Sequence, residues 1–139
     1  MDFITHYEFE SNLFPADGGE EEVRNPGCYG RKLTEFISTG LRGQNYQIGK
    51  AIAEDWGWVV PVLNRGFTLW IGCGKSDESD NSFLCFINPK RPELFHIFKK
   101  RHVIVEINKL SDALKLVLTN DAVNKLRGIT YAQCMAGTL

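Results

Sequence analysis

The segments Glu54-Asp55-Trp56-Gly57-Trp58-Val59-Val60-Pro61-Val62 and Phe67-Thr68-Leu69-Trp70-Ile71-Gly72-Cys73-Gly74 decide the fold. They hold all three tryptophans of the chain and read as two alternating strands. Trp58, Val60 and Val62 alternate with Val59, Pro61 and Leu63. Phe67, Leu69, Ile71 and Cys73 alternate with Thr68, Trp70 and Gly72. A period of two marks a strand with one buried face. Asn64-Arg65-Gly66 joins the two runs, and Gly66 supplies the positive φ that a tight hairpin needs. Pro61 has no N–H to give to a ladder, so it belongs on an outward-facing edge or at a bulge. The same alternation puts Trp56 and Trp58 on one face. Gly57 and Gly72 are left as open positions where a side chain or another chain can approach closely.

The flanking sequence supplies the other elements. Phe3, Thr5, Tyr7 and Phe9 alternate with Ile4, His6, Glu8 and Glu10 and predict a first strand. Residues 11–25, broken by Pro15, Gly18 and Gly19, read as a polar loop. Asn25 as N-cap and Pro26 at the first helical position open a helix. Leu33, Phe36, Ile37 and Leu41 share one face of it, and Gly43 is its expected stop. Gly27, Gly30 and Gly40 weaken it, so it must lean on packing. Tyr46 to Ala53 is a further strand, and Phe83 to Ile87 another. Pro92 opens a short helix through Phe98, and a longer helix carries Ile107, Leu110, Leu114, Val117 and Leu118 on one face. Asn120 or Asp121 caps a final short helix ending at Gly128, followed by a strand at Ile129-Thr130-Tyr131. The expectation is one α+β domain over residues 1–139. It has a mostly antiparallel sheet of about five strands, with helices packed on one face.

Composition sets outer bounds. The chain has 139 residues, 43% hydrophobic and 24% charged, as in an ordinary globular domain. A domain of this size buries roughly two-thirds of the surface its unfolded chain exposes, enough to need no metal or disulfide. The net charge of −1 lacks the basic excess that drives counterion release from nucleic acid. The charge is uneven, however. Seven acids and no Lys or Arg fall in residues 1–22, and five bases against Glu93 alone fall in residues 90–101. Two solvated faces account for this, although such polarity can also steer a charged partner. The N-terminus has neither a basic flank nor an apolar run, and no stretch nears the ~20 apolar residues of a membrane span. The expected location is the cytoplasm, with Cys28, Cys73, Cys85 and Cys134 as reduced thiols.

The candidate motifs are incomplete. Gly72-Cys73-Gly74-Lys75-Ser76 ends like a phosphate loop, but Leu69 stands where the first glycine is needed, and Asp77, Glu78 and Asp80 would repel phosphate. Asp77, Ser79 and Asn81 alternate like calcium ligands, but Ser82 and Asn88 replace the required Gly and Glu. The histidines and cysteines lack a tight pair for zinc. No metal and no cofactor are expected.

Other residues point to binding or chemistry without completing a set. Cys28, in the first turn of its helix near Arg24, Arg31 and Lys32, sits where a helix dipole favours a thiolate. A nucleophile there would need His6, His96 or His102 close in space. Glu54 and Asp55 beside Trp56 are an acidic pair next to aromatic surface, suited to a cation or to acid–base work. Lys99, Lys100 and Arg101 ring the exposed end of the helix bearing Phe95 and Phe98, a pattern that single-stranded nucleic acid can use.

Phe9-Glu10-Ser11-Asn12-Leu13-Phe14-Pro15, Asn25-Pro26-Gly27 with Tyr29-Gly30-Arg31, Glu54 to Trp58 and Leu69 to Gly74 together resemble a family of small bacterial proteins labelled hypothetical. The resemblance covers about residues 7–74. It implies a bacterial, cytosolic, single-domain protein and brings no activity or catalytic residue. The expected function is therefore a non-enzymatic module that binds another protein, as an inhibitor or immunity-type partner does. Its candidate contacts are Glu20, Glu21, Glu22, Glu54, Asp55 and Trp56, with Cys28 and Arg31 nearby. The alternatives are a small enzyme with a groove at Cys28 and Glu54/Asp55, and nucleic-acid binding through Lys99–Arg101.

Overall fold

The computed structural model of the chain describes residues 4–14, 30–64, 67–75, 81–89, 101–121, 123–130 and 132–133. Its elements run β1 (Ile4–Glu10), α1 (Arg31–Arg42), β2 (Gln47–Ile48), β3 (Ile52–Glu54), β4 (Gly57–Asn64), β5 (Phe67–Lys75), β6 (Ser82–Pro89), α2 (Arg101–Leu118) and β7 (Asn124–Thr130). The strands form one antiparallel sheet in the order β2-β4-β5-β6-β1-β7, with β3 also paired to β4. The α+β class and the mostly antiparallel sheet stand. The sheet has seven strands rather than about five.

Two local events make the difference. The expected strand from Tyr46 to Ala53 is split, and Pro61 explains the split. Gln47 and Ile48 pair with Leu63 and Val62, and the next step brings Gly49 opposite Pro61. The Gly49 N–H donates to the Pro61 carbonyl at 2.9 Å. Pro61 has no N–H to return, so the ladder stops and resumes as β3 at Ile52↔Val59. On its other side Pro61 stays in register with Trp70, because its missing donor points toward the broken edge.

The second event is a correction at the C-terminal end. Asn124–Thr130 is strand β7 paired to β1, not a short helix closing at Gly128. Tertiary pairing overrides weak local preference here. Cross-strand ion pairs reinforce it: Arg127 to Glu8 at 2.7 Å and Lys125 to Glu10 at 3.4 Å.

One face of the sheet carries the core. Tyr7 and Phe9 of β1, Val60 and Val62 of β4, Leu69, Ile71 and Cys73 of β5, and Phe83, Cys85 and Ile87 of β6 pack on Leu33, Ile37 and Leu41 of α1 and on Ile107, Leu110 and Leu114 of α2. The Tyr7 hydroxyl ties β1 to α2 through the Ser111 hydroxyl at 2.7 Å. The Gln44 amide ties the end of α1 to α2 by donating to the Ala113 carbonyl at 3.0 Å. Both described helices thus lie on the same side, as the apolar stripes of their sequences require.

Helix α1 ends differently from expectation. Gly43 is right-handed, and Asn45 takes the left-handed conformation at φ 69. Tyr46 N–H donates to the Leu41 carbonyl at 3.1 Å and Asn45 N–H to the Arg42 carbonyl at 3.0 Å, the paired bonds of a Schellman stop. The Arg65-Gly66 turn, the Asn25-Pro26 helix start and the helix expected over residues 92–98 lie outside the described residues.

Candidate functional site: the sheet face opposite the described helices

The alternation that sends Val60, Ile71, Cys85 and Tyr7 into the core sends Val59, Pro61, Leu63, Trp70, Gly72, Phe86, His6 and Glu8 to the opposite face. Gly72 and Phe86 are opposed across β5 and β6. A Cβ on Gly72 would collide with the tip of the Phe86 ring, pressing on its Cζ and standing 2.6 Å from both Cε carbons. The missing side chain lets the ring lie flat on the sheet. His6 stacks on Phe86 with centroids 5.4 Å apart and planes 16° from parallel. Trp56 lies over the same ring at 5.3 Å, tilted by 39°. The open Gly72 position is therefore filled by a side chain of the same molecule.

Trp56 and Trp58 do not share a face. Trp58 pairs with Cys73 and points to the helix-covered side. Trp56 sits in the turn between β3 and β4, outside the alternation, and folds onto the open face. Strand periodicity cannot extend through a turn, which is why the sequence reading failed here.

The imidazole of His6 is buried by this stack, and its Nδ1 lies 2.7 Å from the Thr5 hydroxyl. Burial pushes its pKa below the ordinary value, and Glu8 pulls it partly back.

Next to the stack Val59 is buried, whereas three other apolar side chains on this side are exposed. Ile52, opposite Val59, is 43% exposed, Leu63 is 48% exposed and Trp56 is 45% exposed. Toward β1 and β7 the same face becomes charged. Glu8, Glu10, Lys125 and Arg127, with Ser82 beside them, line a shallow cleft of about 280 Å³. Lys125 has φ 55 and lies at the register shift between Glu8↔Arg127 and Glu10↔Asn124, a bulge from which its ammonium reaches Glu10 at 3.4 Å.

The sequence-derived site residues fall as follows. Glu54 ends β3, half-buried, and Asp55 is exposed in the turn beside Trp56. Arg31 opens α1, exposed, with its guanidinium 3.6 Å from Glu35. Glycines bring these two regions to one end of the sheet. A Cβ on Gly30 would stand 3.0 Å from the Cys73 carbonyl oxygen, and one on Gly57 would stand 3.0 Å from the Gly74 Cα. Gly30, just before α1, and Gly57, at the start of β4, thus both lie against Cys73 and Gly74. Glu20, Glu21, Glu22, Cys28, Lys99 and Lys100 lie outside the described residues, and Arg101 is exposed at the start of α2. Sequence reasoning named His6 only as a candidate base for Cys28, and it missed Ile52, Leu63 and Phe86. Their signal was present as the outward half of each alternation, but register across strands was needed to place them on one face.

Among the described residues, no three His, Cys, Asp or Glu side chains are placed to hold a metal. No described helix is long and apolar enough to cross a membrane. No family model, curated protein or solved structure matches the chain.

Proposed function

We propose that the protein is a binding module that docks another protein on the sheet face opposite its two described helices. The observation that carries this reading is the exposure of Trp56, beside Phe86, together with Ile52 of β3 and Leu63 of β4 on the same side of the sheet. Strand β4 is paired on both sides, so the surface is held rigid before any partner arrives. Rigid anchors lose little conformational entropy on docking, and tryptophan is a frequent anchor. Glu54 and Asp55 border the apolar patch, which suits a partner whose own apolar contact is rimmed by Lys or Arg.

Affinity capture at low salt tests the reading with three baits: the native chain, an Ile52→Asp/Leu63→Asp double variant and a Leu116→Asp variant. Leu116 is 64% exposed on α2, so it controls for apolar exposure alone. A protein held by the native chain and by Leu116→Asp, but released by the double variant, supports the reading. Equal retention by all three baits, or none by any, contradicts it. Circular dichroism of each bait establishes that it is folded.

A further inference from the structure

Cys73 on β5 and Cys85 on β6 are direct partners across the antiparallel ladder, and both side chains are fully buried on the helix-covered side. Their sulfurs stand 3.9 Å apart. Opposed residues of an antiparallel pair have Cα atoms about 4.5–5.5 Å apart. That separation lies inside the span of about 4.4–6.8 Å that disulfides bridge. Rotation of the side chains can bring the sulfurs to bonding distance while the ladder stays in place. The docking face does not use this pair, which lies on the other side of the sheet. A buried Val or Ala would fill the same space without a thiol.

We propose that Cys73 and Cys85 are an oxidisable pair, closed to a cross-strand disulfide between β5 and β6 when the chain folds in the presence of a low-molecular-weight disulfide. One cysteine thiolate attacks the small disulfide, forms a mixed disulfide and expels one small thiolate. The second cysteine thiolate attacks the protein sulfur of that mixed disulfide, forms the Cys73–Cys85 bond and expels the second small thiolate. The two protons given up by the cysteines go to the two expelled thiolates. The cysteines lose two electrons, and the small disulfide gains them.

The fold sets when this exchange runs. In the folded chain the hydrogen bond with Cys73 and burial raise the pKa of Cys85, so thiolate is scarce and a mixed disulfide has no room. In the unfolded chain neither restraint exists. The bond therefore closes during folding and is afterwards shielded from reductant by the core that covers it.

The four cysteines make the test internally competitive. The full chain is denatured, refolded in a mixture of glutathione disulfide and glutathione, digested without reduction and analysed by mass spectrometry. A Cys28→Ser/Cys134→Ser variant is treated in parallel. The proposal expects the Cys73–Cys85 linked peptide to exceed every other pairing in the native chain and to persist in the variant. It also expects already folded chain to form this bond at least about tenfold more slowly in the same buffer, because the core encloses both thiols. Scattered pairings in the native chain, free thiols at 73 and 85 after refolding, or equal rates from folded and unfolded chain would each overturn it.

Discussion

Phe86 lies between a glycine beneath it and two rings above it, and this arrangement depends on the absence of one Cβ. Gly72→Ala puts a methyl where the ring lies, forcing the ring and its two neighbours to move. Overpacking of this kind costs about 1–3 kcal/mol. Urea denaturation should show that loss, with a shifted tryptophan emission as Trp56 leaves its place. His6 gives a second expectation. Its pKa in the fold lies below the ordinary 6.5, so the folded chain binds this proton more weakly than the unfolded chain does. Its contribution to stability is full above about pH 6.5 and declines as pH falls through that value toward the lower folded one. Melting temperatures should therefore fall between pH 7.5 and 5 more steeply in the native chain than in His6→Gln. Equal slopes would show that this imidazole does not carry the effect. The sequence marked Gly72 as open, but it could not name the occupant, because the opposing residue depends on a register with a strand fourteen positions away.

At the scale of the elements, Asn45 and Gly40 separate local preference from packing. Asn45 holds the left-handed position that closes α1. Asn45→Ala should cost about 1 kcal/mol, the strain of a side chain that avoids this conformation, whereas Asn45→Gly should cost close to nothing. Thermal melts of the two variants give the comparison. Gly40 lies where α1 meets α2, and a Cβ there would stand 2.7 Å from a Val117 methyl. Alanine improves an isolated helix by about 1 kcal/mol over glycine. Packing reverses the sign here, so Gly40→Ala should destabilise the protein, and Val117→Ala in that background should recover part of the loss. Both α1 and α2 were legible because their apolar stripes repeat at helical spacing. Of strand β7, only Ile129 and Thr130 were read as strand; Asn124-Lys125-Leu126-Arg127-Gly128 carries neither period, and only pairing with β1 extends the strand through it. The division into β2 and β3 was half legible: Pro61 announced a broken ladder, but which neighbour would break depended on the side its nitrogen faced.

At the scale of the molecule, both described helices cover one side of the sheet, and the other side is filled by different means. Part of that filling is internal: the Phe86 stack buries His6, and ion pairs of Glu8 and Glu10 occupy the β1–β7 end. The remainder, around Trp56, Ile52 and Leu63, stays open to solvent. That the sheet is antiparallel and one-sided followed from the alternating runs and short links. The place of the open patch did not, because it combines a turn residue, an edge residue and a central strand that only the folded register brings together. A photoreactive amino acid placed in turn at positions 52, 63 and 116, followed by irradiation in living cells, tests the docking face most directly. The account predicts a discrete adduct with another protein from positions 52 and 63 and none from the more exposed position 116. Adducts from position 116 alone, or the same adducts from all three positions, would contradict it.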